Sequence, residues 1–212
     1  MKIIKPEVIL ESDVTGDNVL RSIERYGRVC YKSEDRITRE STHEFIKNII
    51  QRGHESVLEH ISITMRVICD RGVSHEIVRH RIASYSQEST RYCNYSNEKF
   101  GRELTFIEPC FLREQKDKEK RKVWESALGE IEKRYFQLLE LGATPQEARS
   151  ILPNSLKTEV VMTMNLREWR HFIRLRTDLS AHPQMREIAL EVFRILKVLV
   201  PVVFDDIILP NN

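Results

Sequence analysis

The chain has 212 residues, 41% hydrophobic and 31% charged, with seven Gly and seven Pro, a composition that fits a folded globular protein with a buried core and excludes disordered and fibrous classes. Lys and Arg number 34 against 32 Asp and Glu, a net charge of +2, so no global field argues for wrapping nucleic acid or lying on a membrane, and any anion site must be local. Cys30, Cys69, Cys93 and Cys110 form no Cys-x-x-Cys pair, which disfavours a zinc knuckle, a redox dithiol or a secreted disulfide framework. The opening MKIIKPEVIL has too short an apolar run for a signal peptide, and no stretch is long enough to span a bilayer. The expectation is a soluble cytoplasmic protein of one domain, residues 1–212.

After a short apolar opening, Asp17 to Cys30 reads as a helix, and Ser41 with Glu44 predicts a capping box for a second helix that Gly53 ends. From Ile61 to Cys69 the period changes to two, with Ile61, Ile63, Met65, Val67 and Cys69 on one face of a half-buried strand. Ser74 is placed to cap a short helix running toward Arg81. Ser84 to Phe100, rich in Ser, Asn and Tyr without a period, reads as a loop or irregular extended segment. The alternating charges from Arg113 to Lys122 open a solvated helix continuing to Gly142, and Thr144, Pro145 and Glu147 start another that ends by Leu152-Pro153. Lys157 to Met164 reads as a strand. Asn165, with Glu168 three residues on, opens a helix to about Thr177, and Pro183 opens one that Pro201 stops, its stripe of Met185, Ile188, Ala189, Val192, Phe193, Leu196 and Leu199 serving as core or interface.

Three clusters carry candidate chemistry. Arg79, His80 and Arg81 are followed within ten residues by Ser84, Ser86, Gln87, Glu88, Ser89, Thr90 and Arg91; guanidinium forks, hydroxyls and loop N–H groups suit a nucleotide phosphate. The alternative is a surface basic cluster paired with Glu76 and Glu88. Downstream, Arg167, Arg170, His171 and Arg174 fall at i, i+3, i+4 and i+7 and share a helix face. Arg176 instead follows Trp169 by seven and Phe172 by four, on the apolar stripe, where an arginine needs an anionic or polar partner. That partner is a bound ligand or, structurally, Asp178. The third cluster, His54, Glu55, Glu59 and His60, has no ligand spacing that fits one helix face, so no metal is expected.

The string RHRIASYSQESTRY, Arg79 to Tyr92, resembles the signature of flavin-dependent thymidylate synthases, in which Arg-His-Arg is followed after seven residues by Ser, here Ser89. GHESVLEH at Gly53 to His60, ARSILP at Ala148 to Pro153 and NLREWRHFIRLR at Asn165 to Arg176 resemble further blocks of the family in the same order. The resemblance implies an α+β fold, a single domain with a central, mostly antiparallel sheet flanked by helices. It implies FAD as cofactor, deoxyuridine monophosphate (dUMP) and methylenetetrahydrofolate as substrates, NADPH as reductant, and a homotetramer with active sites built between subunits. By position, Arg79, His80, Arg81, Gln87, Asn165, Arg167 and His171 would hold FAD, with Ser56 from a neighbouring subunit. Glu76, Arg79, Gln87, Glu88, Ser89, Thr90, Arg91 and Arg149 would line the dUMP site, Arg176 would act on the pyrimidine, and His54 would lie on the folate or flavin side. The chain departs from the family's pattern with Glu76 where Gln is common, Gln87 where Glu is also found and Thr90 where Gly is frequent; the first two keep a hydrogen-bonding group. The rival readings are a nucleic-acid-binding module using the Arg79–Arg91 cluster and a metal-dependent hydrolase on His54 to His60.

Overall fold

A computed structural model describes residues 1–210. Strands and helices follow along the chain as β1 (Lys2–Ile4), β2 (Glu7–Leu10), α1 (Gly16–Val29), α2 (Ser41–Gln51), β3 (Ser62–Asp70), α3 (Arg71–Ile77), β4 (Ser84–Gln87), β5 (Thr105–Ile107), α4 (Lys118–Glu140), α5 (Pro145–Ala148), β6 (Lys157–Asn165), α6 (Leu166–Arg176), α7 (Pro183–Leu199) and α8 (Pro201–Phe204). Short 3₁₀ turns join them, including Glu55–His60 before β3 and Arg149–Ile151 after α5. By internal packing these residues fall into two units, one of Met1–Glu7, Val67–Arg79 and Ser86–Val160, the other of Val8–Arg66, His80–Tyr85 and Val161–Asn212.

One sheet has the order β2-β3-β6-β4. Its central pair is antiparallel: Thr64 Oγ1 meets Thr163 Oγ1 at 2.8 Å, and further along the Arg71 amide donates to the Leu156 carbonyl, so residues advance on β3 as they retreat on β6. The period-two expectation for β3 holds, since Ile63, Met65, Val67 and Cys69 are all buried while Thr64, Arg66 and Ile68 are half-covered. The mostly antiparallel expectation misses β1 and β5, which pair in parallel with Lys2 opposite Thr105. Strands of three residues whose partner lies a hundred residues away leave no local period to read.

In the first unit the core gathers Tyr95, Leu104, Phe106, Leu128, Tyr135, Ala148 and Leu156, with Trp124 and Ile131 of α4 packed against it. The α5 capping box forms as the sequence predicts, Glu147 reaching back to the Thr144 amide at 2.8 Å. Ser74, expected as a cap, is instead inside α3 and donates to the Arg71 carbonyl; Asp70, the last residue of β3, takes the cap by accepting from the Val73 amide at 2.7 Å. A carboxylate at a helix start gains from the backbone dipole as well as the hydrogen bond, which favours Asp70 over a hydroxyl further along. That shift ends α3 at Ile77 and leaves Arg79–Arg81 off the helix.

In the second unit α1 buries Val19, Leu20, Ile23 and Gly27 on one face and also the charged Glu24, 1% exposed. Burial opposes ionisation of that carboxyl, but bonds from Ser41 Oγ (2.7 Å), Thr42 Oγ1 (2.7 Å) and Arg28 outweigh it and hold it below the usual range. Ser41 is thereby drawn away from the capping box expected of it: α2 starts at Ser41 with Glu40 as N-cap and no side-chain cap bond. Gly53 sits at φ +72, a left-handed conformation that turns the chain into the Glu55–His60 segment. Gly16 matters for a different reason: a Cβ there would lie 2.0 Å from the Leu199 carbonyl oxygen of α7. The stripe predicted for α7 is buried from Met185 to Leu196; Val200 closes the helix and Pro201 opens α8 at its first position.

Candidate active site

The boundary between the units falls inside the Arg79–Tyr92 segment, with Arg79 in the first and His80 to Tyr85 in the second. In the first unit, Arg79 is exposed and Glu76 half-buried. Gln87 Nε2 donates to Ser74 Oγ at 2.9 Å and to Thr158 Oγ1 at 3.2 Å. Glu88 accepts from Tyr95 Oη at 2.9 Å and Lys157 Nζ at 3.0 Å, so both its oxygens are engaged. The Ser89 carbonyl accepts from the Tyr92 and Cys93 amides, making a tight turn that presents Thr90 and the exposed Arg91. Thr90 is buried, and Arg149 reaches its Oγ1 at 3.5 Å. Those two residues, 59 positions apart in the chain, meet here.

In the second unit the inner stripe of α6 meets His80. Asn165 Oδ1 caps the helix by accepting from the Glu168 amide at 2.8 Å, as expected. His80 is 5% exposed; its ring packs on Phe172 (centroids 4.9 Å apart), its Nδ1 lies 3.3 Å from Glu168 Oε1, and its Nε2 receives Arg176 Nε at 3.0 Å. Burial first, then the positive charge of Arg176 and His171, depresses the imidazole pKa to about 4, so His80 is neutral at physiological pH. Tyr85 Oη donates to the His80 carbonyl at 2.6 Å and fixes the backbone beside the ring. Arg176 is half-buried and donates to His80; Asp178, the structural alternative to a bound ligand, accepts from Ser180.

A cavity of about 550 Å³ opens on the outer side of α6, lined by Asn165, Arg167, Glu168, His171, Arg174, Glu55, Glu59 and Ile82. Arg167 pairs with Glu59, and Arg174 with Asp206 at 3.1 Å. Arg170 departs from its expected place on this face. It is fully buried, forks onto Asp206 Oδ1 and Oδ2 at 2.7 Å each, and donates to Glu55 Oε1 at 3.0 Å and to the Val203 carbonyl. His54 Nδ1 meets Tyr31 Oη at 2.8 Å, His60 packs edge-on against Tyr26, Arg81 is exposed, and Ser56 stands exposed between them in the chain.

The His54–His60 cluster is thus dispersed over separate partners. Among the described residues a different trio, His80, Glu168 and His171, brings ligand-type atoms within 4.8 Å of one another, but both ring nitrogens of His80 are already engaged, one of them by a guanidinium.

The family model described as "Thymidylate synthase complementing protein" matches residues 13–202. The chain belongs to the flavin-dependent thymidylate synthase family. Proteins named flavin-dependent thymidylate synthase resemble it from Geobacter sulfurreducens (36% identical over 186 residues, 84% of this chain and 78% of that one), Pyrococcus furiosus (37% over 168, 79% and 67%) and Corynebacterium glutamicum (33% over 218, 94% and 83%). The nucleic-acid reading finds no support: on α6 the family's basic block is spent on Glu55, Glu59 and Asp206 rather than displayed as a continuous free face. Sequence reasoning missed Glu168 as a site residue, although its place eight before Arg176 and four before Phe172 puts it on the same buried stripe.

Proposed function

We propose that this chain converts dUMP to dTMP by reductive methylation, with methylenetetrahydrofolate supplying the carbon, bound FAD the hydride and NADPH the reducing equivalents. The observation that carries the reading is the inward-facing Arg176 guanidinium, held by the neutral His80 at 3.0 Å. Bond formation at uracil C5 places negative charge on the pyrimidine, and a fixed, half-buried guanidinium is suited to stabilise it.

FAD fits the residues of the second unit. The cavity beside α6 carries Arg167, His171 and Arg174 as donors for a pyrophosphate, and the apolar Ile82, 66% exposed, offers uncovered surface to a flat ring. FAD supplies the hydride chemistry that no amino-acid side chain can. Arg167, His171 and the exposed Arg81 would bind its phosphates, with Asn165 and Ser56 as further contacts. Binding would require Arg167 to share or leave Glu59. His80, placed on the FAD side by the resemblance, would also hold Arg176, since both its ring nitrogens are engaged by side chains of α6.

Arg149 and Thr90, with Ser89, Arg91, Glu76 and Gln87, would hold dUMP, the guanidinium taking phosphate and the Ser89 turn offering amides. Glu88 would act by keeping Lys157 and Tyr95 in place. His54 would lie toward folate. A cysteine nucleophile is not part of the proposal: burial pushes the Cys69 thiol far up, and burial with the nearby Glu88 raises Cys93. The central-sheet layout, a single catalytic domain over 1–212, a homotetramer with shared sites and a cytoplasmic location complete the reading; no helix among the described residues is long and apolar enough to cross a membrane.

The test is product formation from labelled dUMP, omitting one component at a time. dTMP should appear only when FAD, NADPH and methylenetetrahydrofolate are all present. Formation of dTMP without FAD, or none with the full set and folded protein, would refute the proposal.

A further inference from the structure

Glu168, Phe172 and Arg176 stand at i, i+4 and i+8 on α6, one inward stripe two turns long. His80 lies along it with its ring on Phe172, one nitrogen toward Glu168 at one end and the other toward Arg176 at the other. Glu168 is 8% exposed and His80 5%, so water does not readily replace either partner.

Donor counting fixes the protons. Arginine Nε always carries hydrogen and has no lone pair to offer, so His80 Nε2, 3.0 Å away, must be the acceptor. The imidazole is then neutral with its proton on Nδ1, and that N–H donates to Glu168 Oε1. The opposite tautomer would aim N–H against N–H at Arg176 and leave a bare lone pair facing a carboxylate, two adverse contacts in a buried site. The other groups facing the ring agree with this assignment: His171 lies edge-on at 5.9 Å, and the Tyr85 hydroxyl is taken up by the His80 carbonyl. Burial, with Arg176 and His171 nearby, keeps the ring from taking a second proton.

We propose that Glu168 is the positioning residue for Arg176, acting through His80: it selects the Nδ1–H tautomer, which turns the Nε2 lone pair toward Arg176 and sets the plane of the guanidinium. Because the guanidinium is rigid, fixing Nε also fixes the direction of both Nη groups. The inference rests on the reading of Arg176 as the group that acts on the pyrimidine. It gives Glu168 a role toward the reaction through another side chain, with no dUMP contact assigned to Glu168 itself.

Two measurements test it. In ¹⁵N NMR of the flavin-free protein at pH 7, the His80 ring should carry its proton on Nδ1 in the wild type and in Glu168→Gln, whose amide oxygen still accepts, and on Nε2 to a substantial extent in Glu168→Leu. In the loaded enzyme, Glu168→Leu should lower kcat by roughly 10–100-fold, the usual cost of losing a partner that orients a working side chain. Its Kd for dUMP should stay within about threefold, a shift worth less than 1 kcal/mol, while FAD, whose proposed cavity Glu168 also lines, is kept saturating in the kcat comparison, and Glu168→Gln should recover most of the loss. A wild-type His80 protonated on Nε2 would overturn the proposal, whether or not the leucine variant folds. So would a folded Glu168→Leu that keeps both the Nδ1–H tautomer and its kcat. A wild type that shows the Nδ1–H tautomer but makes no dTMP would instead overturn the functional reading.

Discussion

Arg176→Ala is expected to lose dTMP formation by roughly 10²–10³-fold, the usual effect of removing one preorganised charge-stabilising group, while flavin binding and folding persist. The two effects separate because Arg176 stands at the end of α6 with a half-buried side chain. Among the interactions the fold loses are the hydrogen bond to His80 and a favourable cation near the helix C-terminus, these two together worth about 1–2 kcal/mol. What the reaction loses is the only stabiliser assigned to the charge on the pyrimidine. Arg176→Lys should recover little, because an ammonium on a flexible stem cannot be aligned by an Nε bond. Steady-state kinetics beside thermal unfolding decides the matter: turnover within tenfold of wild type would remove Arg176 from the chemistry, and an unfolded variant would make it structural.

The opposite profile is expected of Arg170, whose guanidinium is taken up by Glu55, Asp206 and the Val203 carbonyl rather than by any assigned substrate contact. Its side chain is fully buried and joins three places in the second unit: Glu55 of the Glu55–His60 turn, the Val203 carbonyl of α8 and Asp206 beyond it. Arg170→Ala should cost about 3 kcal/mol in urea unfolding, the low end for a broken buried pair. The low end is chosen because Asp206 remains 41% exposed and Glu55 17%, so both abandoned carboxylates regain some water. Arg174→Ala removes a second cation from the same Asp206 but from an exposed position, 46%, and should cost under about 1 kcal/mol. Equal losses in the two variants would contradict the account of Arg170 as the tie between α6 and its neighbours. Since the Glu55–His60 turn follows directly on His54 and carries Ser56, loosening that tie should also weaken flavin uptake.

The helices were legible wherever a local device specified them. Asn165 caps α6, Thr144 with Glu147 boxes α5, and the α7 stripe is buried as its period predicts. Failures came where a distant group outbid a local one. Ser41 left its capping box for Glu24, seventeen residues earlier, and Arg170 left its polar face for Glu55, 115 residues earlier, and Asp206. No window-based pattern contains those partners. Arg176 was read correctly as an inward arginine but given the nearest acid, Asp178, because sequence proximity cannot reveal that His80, 96 positions away, packs on the same stripe. Glu168 could have been found: an acid and a base eight residues apart on one buried helix stripe already call for a bridging group.

The most direct test of the central claim is the visible spectrum of the purified protein with FAD under anaerobic conditions. NADPH should bleach the flavin band, and colour should return, with dTMP formed in step, only when dUMP and methylenetetrahydrofolate are both added. Folded protein that takes up no flavin, or flavin that reoxidises in this way without forming dTMP, would contradict the account.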